Sequence, residues 1–135
     1  MNNNIDKNSY PTAGQLERNI SQRLSTLYGN QVGHRPSKVD CHLFGNKLVI
    51  SLENVITPVE KLLLETKSSN LEVNIRTLID GTIKPKLKEL VEEIFQVGVT
   101  LCLYETSIDA DYAGAIIVLE DKPKTRVAKS SLKRR

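Results

Sequence analysis

The chain has 135 residues, 39% of them hydrophobic, and a formal net charge of +3. That is enough for one domain with a packed core, and it excludes wholesale disorder. The small net charge hides a division: every acidic residue lies between Asp6 and Asp121, and seven basic residues with no acid follow, from Lys122 to Arg135. No apolar run approaches the ~20 residues of a membrane-spanning helix. The Asn-rich start, Met1 to Ser9, lacks the apolar core of a secretory signal. Cys41 and Cys102, with only His34 and His42 beside them, make neither a disulfide framework nor a structural zinc site. The expectation is a reduced, cytoplasmic protein with no metal and no other cofactor.

Residues 1–11 read as a disordered leader. Thr12-Ala13-Gly14-Gln15 has capping-box spacing, and Ala13, Leu16, Ile20, Leu24, Leu27 and Tyr28 follow on one helical face, with a stop expected near Gly29-Asn30. The loop Gly33-His34-Arg35-Pro36 leads to a period of two. Val39, Cys41 and Leu43 alternate with Lys38, Asp40 and His42, and Gly45-Asn46 has the chemistry of a tight hairpin turn. Leu48, Ile50 and Leu52 then pair back, placing Lys38 opposite Glu53. Thr57-Pro58-Val59-Glu60 is a second capping box with Pro at the first helical position, opening a short helix. Lys67-Ser68-Ser69-Asn70 breaks it, and Ser69 with Glu72 has the spacing of a third box. The phase from Leu71 to Phe95 then stays unbroken across Gly81 and Pro85, which predicts one kinked helix rather than two. Val97, Val99, Leu101 and Leu103 alternate next, an acidic loop runs from Glu105 to Asp111, and Ala115, Ile117 and Leu119 form the last strand. Residues 122–135 read as a basic disordered tail.

The order helix–strand–strand occurs twice, and Leu24 and Leu27 recur as Leu87 and Leu90, the pattern of a weak duplication. The expected fold is α+β: two αββ units forming a four-stranded, mainly antiparallel sheet with helices on one face, spanning residues 12–121. The other face is expected to carry Phe44, Val49, Cys102, Tyr104, Ile116 and Val118. A contiguous apolar set of that kind marks an interface, here between two copies of the chain.

No nucleophile, phosphate-loop or metal-helix motif is present, so no catalytic residue and no enzymatic activity is assigned. His34, Arg35 and Lys38 on the 33–38 loop have the chemistry to bind a small anion or a nucleotide. The basic tail could meet nucleic acid, but the absence of any aromatic after Tyr112 leaves charge alone to do so. Glu53 and Glu60 read as a strand-end charge and a capping carboxylate.

Gly14-Gln15-Leu16-Glu17, Leu27-Tyr28, the Gly33–Pro36 loop, Leu52-Glu53-Asn54, Thr57-Pro58-Val59-Glu60, Arg76 and Glu92-Glu93-Ile94 together resemble the MpsC family. This is a small bacterial domain named for a sodium-translocating, membrane-potential-generating system. The resemblance covers residues 12–121. It departs from the family pattern at Gln96-Val97-Gly98, where a Thr-Gly and a basic residue would be expected. The resemblance implies a soluble, non-enzymatic accessory protein or adaptor beside an integral-membrane ion or inorganic-carbon transport complex, cytoplasmic or peripheral to the membrane. It carries over no catalytic residues. The positions it matches, Gly33, Arg35, Pro36, Glu53, Thr57, Glu60 and Arg76, are implied to serve structure or partner contact.

Overall fold

The structure, a computed structural model, describes residues 9–66 and 70–127. Helix α1 spans Ala13–Val32. Its capping box forms in both directions: Gln15 N–H donates to Thr12 Oγ1 at 3.1 Å, and Thr12 N–H donates to Gln15 Oε1 at 2.9 Å. Leu16, Ile20, Leu24 and Tyr28, four residues apart, bury one stripe. The helix runs past the expected stop at Gly29-Asn30 and ends where Gly33 takes a left-handed conformation (φ 77°), its N–H donating to Gly29 O. Gly29 serves packing instead, since a Cβ there would lie 2.7 Å from Arg35 Cγ.

Strands β1 (Lys38–Phe44) and β2 (Lys47–Glu53) form the predicted hairpin in the predicted register, with Val39 opposite Leu52, Cys41 opposite Ile50 and Leu43 opposite Leu48. Gly45 supplies the positive φ of the turn, 61°. Lys38 faces Glu53 across the ladder, but its ion pair, at 3.5 Å, is with Asp40 on its own strand.

Helix α2 (Pro58–Thr66) opens on the second capping box. Glu60 N–H donates to Thr57 Oγ1, and Thr57 N–H donates to Glu60 Oε1. The expected break at 67–70 and the Ser69–Glu72 box rest on residues that lie, apart from Asn70 and Glu72, outside those described. Helix α3 (Leu71–Phe95) is one helix through Gly81 and Pro85, as its unbroken phase predicts, and it ends on Gln96 at φ 56°.

Strands β3 (Val99–Ser107) and β4 (Tyr112–Leu119) complete an antiparallel sheet of order β1-β2-β4-β3. This is the α+β fold expected. Exchanging the two αββ halves maps that order onto itself. Helices α1 and α3 pack on one face, α1 over β1 and α3 over β3. The core between the layers is built from α1, from α3 beyond Ile83 and from the inward residues of all four strands.

Two expectations about β3 are corrected. The acidic stretch from Glu105 is strand as far as Ser107, paired with Tyr112–Gly114, so the connecting loop shrinks to residues 108–111. Cys102 and Tyr104, expected on the open face, point into the core, where they pair with Ile117 and Ala115. The cause is an irregularity between Val99 and Leu101: one extra residue in β3 against β4 reverses the facing of everything after it. Leu101 and Leu103 take the open face instead, at 43% and 51% exposure.

Beyond β4 the chain stays on the fold for several residues. Pro123 is buried, and Arg126 N–H donates to Pro11 O at 3.0 Å beside a parallel bridge to Thr12.

Candidate functional site

Thr57, Glu60 and Arg76 converge on one buried cluster. The segment from Asn54 to Thr57, between β2 and α2, is held at both ends. Asn54 N–H donates to Asp111 O, and Ile56 N–H donates to Asp111 Oδ1 at 2.8 Å, which buries Val55 and Ile56. Glu60 is fully buried and Arg76 is 4% exposed. They meet as a two-point pair, with Arg76 Nε 2.9 Å from Glu60 Oε2 and an Nη 2.6 Å from Oε1. The guanidinium also donates to Val55 O at 3.0 Å, to the Tyr28 hydroxyl at 2.7 Å and to Asp80 Oδ1 at 3.3 Å. Tyr28 in turn donates to Val55 O, and Thr106 Oγ1 donates to Asp80 Oδ1. One cation thereby joins α1, the β2–α2 loop, α2, α3 and β3.

Burial alone would push the Glu60 carboxyl up, but hydrogen bonds from Arg76 and Thr57 outweigh it and hold the group below its ordinary value. Arg76 is driven further up, its loss of water overcome by Glu60 and Tyr28. Burial raises Asp80 against the opposing pull of Thr106 and Arg76. Burial raises Tyr28 as well, and it raises Tyr104, whose hydroxyl is enclosed without a hydrogen-bond partner. All five N–H groups of Arg76 and both carboxylate oxygens of Glu60 have partners, so this pair holds the fold together. Arg76 and Glu60 are legible in the sequence as motif positions. Asp80 could have been found from its spacing of four from Arg76 on the same helix. Tyr28 and Thr106 carry no local signal of their role, because each reads as an ordinary helix or strand residue.

The 33–38 loop is divided by the structure. His34 Nε2 lies 2.9 Å from Asn54 O, which ties it to the β2–α2 segment. Arg35 and Lys38 instead line a shallow hollow of about 310 Å³ with Ser21, Gln22 and Ser25 of α1. Gly33 caps α1, Pro36 is buried, and Glu53 stands at the end of β2 with its carbonyl accepting from Ser37 N–H. Burial raises the Cys41 thiol to about 12, with Glu17 adding to the shift, and burial raises Cys102 too. Among the described residues no group of three or more His, Cys, Asp or Glu could hold a metal ion, and no helix is long and apolar enough to cross a membrane. The basic tail beyond Val127 lies outside the described residues.

The open sheet face is different in kind. Phe44 (60% exposed), Val49, Leu101, Leu103 and Ile116 stand in solvent beside the half-buried Val118, and Val49, Leu103 and Ile116 line a hollow of about 730 Å³ with Tyr112, Ser51 and Glu105. Gly114 contributes no side chain to its floor. A second apolar ridge runs over α2 and the start of α3, where Val59, Leu62, Leu71, Val73 and Leu78 are exposed.

A helix-backed antiparallel sheet with a buried Glu60–Arg76 pair and an uncovered apolar face defines a small α+β domain. A family model described as "Na+-translocating membrane potential-generating system (MpsC)" matches residues 12–121, the whole of that domain, and the chain belongs to the MpsC family. Neither the curated proteins nor the solved structures contain a match to it.

Proposed function

We propose that this protein is a non-catalytic accessory protein of a membrane-potential-generating system. In this reading it is a homodimer on the cytoplasmic side, attached peripherally to an integral-membrane ion or inorganic-carbon transport complex. Family membership supports the link to the membrane system. The observation that carries the non-catalytic part is the contrast between Glu60 and Arg76, buried and fully paired with each other and their neighbours, and the exposed apolar surfaces that remain for binding. Pull-down of the tagged full chain from detergent-solubilised native membranes tests the reading. An integral-membrane ion-transport protein is expected to co-purify. Recovery of soluble proteins only, with every membrane protein washed away at low salt, overturns it.

A further inference from the structure

The open face consists of cross-strand rows of outward side chains, and their arrangement says what can cover it. One outer row holds Phe44, Lys47, Val118 and Leu101, and the opposite outer row holds Lys38, Glu53, Tyr112 and Ser107. Between them lie the row of His42, Val49, Ile116 and Leu103 and the row of Asp40, Ser51, Gly114 and Glu105. Lys47 is at one end of β2 and Glu53 at the other; on β1 Lys38 stands at the Glu53 end and is paired with Asp40, and on β3 Glu105 mirrors Leu103. The two halves of the face also differ in shape, since the protruding Ile116 sits next along β4's outer face from the missing side chain of Gly114.

We infer that this face is covered by a second copy of the chain, sheet against sheet, about a twofold axis that runs across the strands between the two middle rows. The inference rests on the homodimer reading above and adds its geometry. A twofold interface pairs each patch with its own complement. This axis sets Lys47 against Glu53 of the partner subunit, His42 beside Asp40 of the partner subunit, and Ile116 into the hollow over Gly114 of the partner subunit, while Phe44 meets Lys38 of the partner subunit and Leu103 meets Glu105 of the partner subunit. An axis running along the strands instead would set Asp40 against Glu105, two carboxylates, and leave Lys47 over Val118. Charge complementarity therefore selects the first arrangement. With strands about 4.8 Å apart and rows about 6.6 Å apart, the projected face is roughly 500 Å² per copy, or about 1,000 Å² for the pair. The accessible area is larger than the projection and so exceeds the threshold of a specific interface. Sheets stacked face to face accept this near-aligned geometry.

Sedimentation equilibrium of the full chain at tens of micromolar tests the arrangement. The wild type is expected at twice the chain mass. Lys47→Glu and Glu53→Lys are each expected to weaken self-association about tenfold or more, and the double variant to restore it. Gly114→Leu is a second probe. A Cβ there meets nothing closer than Ile50 O at 3.6 Å, so the strand accommodates it while the leucine blocks Ile116 of the partner. It is expected to run as one chain with an unchanged circular-dichroism spectrum. A wild type at the mass of one chain overturns both this inference and the homodimer reading. A dimer that survives the charge reversals and Gly114→Leu overturns this inference alone.

Discussion

The buried cluster around Arg76 and the open face of the sheet lie on opposite sides of the same strands, and they treat polarity in opposite ways. On the inner side a carboxylate and a guanidinium are taken wholly out of water, and each of their polar atoms is matched. On the outer side leucine, isoleucine and phenylalanine are left in water. The first arrangement is costly to assemble and more costly to break, so its effects should appear as stability. The second contributes little to the folding of a single chain and should appear as association.

The largest effect that would sharpen this contrast is expected from Arg76→Met. It leaves Glu60 buried without its partner, which costs about 3–5 kcal/mol. Urea unfolding followed by circular dichroism should show the midpoint fall accordingly. A loss below about 1 kcal/mol would mean that water reaches Glu60 and that the cluster is not sealed.

Acid should reveal the same pair. Because the Glu60 carboxyl is held below its ordinary value of 4.5 in the folded chain, its contribution is complete above that value and is lost as pH falls through its folded value. Asp80 has the opposite sign. Its raised value means that it takes up a proton more readily when folded, which offsets part of that loss. Thermal melts between neutral pH and pH 3 should therefore fall below about pH 4.5 in the wild type. The Glu60→Gln variant should be less stable at neutral pH and show a shallower acid decline.

The smallest effects separate two buried tyrosines. Tyr28→Phe removes the acceptor of Arg76 and one donor to Val55 O, at a cost of about 1.5–3 kcal/mol. Tyr104→Phe removes a hydroxyl without a partner, and stability should stay level or rise by up to about 1 kcal/mol. Equal losses in the two would erase the distinction between a satisfied and an unsatisfied group.

Much of the architecture was legible because the signals are local. Thr12 and Gln15 lie one helical turn apart, and Gly45-Asn46 and the alternation around it admit one register. The unbroken phase across Pro85 identified α3 as a single helix. The reversal in β3 was not legible, because the extra residue, Thr100, is an ordinary strand residue and either set of alternating residues is largely apolar. Glu60 and Arg76 were visible as matched positions. Their meeting was not, since it depends on how α2 and α3 pack, and nothing near Tyr28 announces that its hydroxyl reaches Val55. The division of the 33–38 loop had the same cause: His34 is claimed by a carbonyl twenty residues away.

The strand order β1-β2-β4-β3 also has a consequence in time. As the chain is synthesised from its N-terminus, α1 and the first hairpin can form early. β2 finds its second neighbour only when β4 has been made, after the whole of α2, α3 and β3. Throughout that interval β2, already paired with β1, keeps its other backbone edge unpaired in what will become the centre of the sheet. The two halves therefore protect each other: each hairpin's second strand closes the edge that the other would leave open to any passing strand.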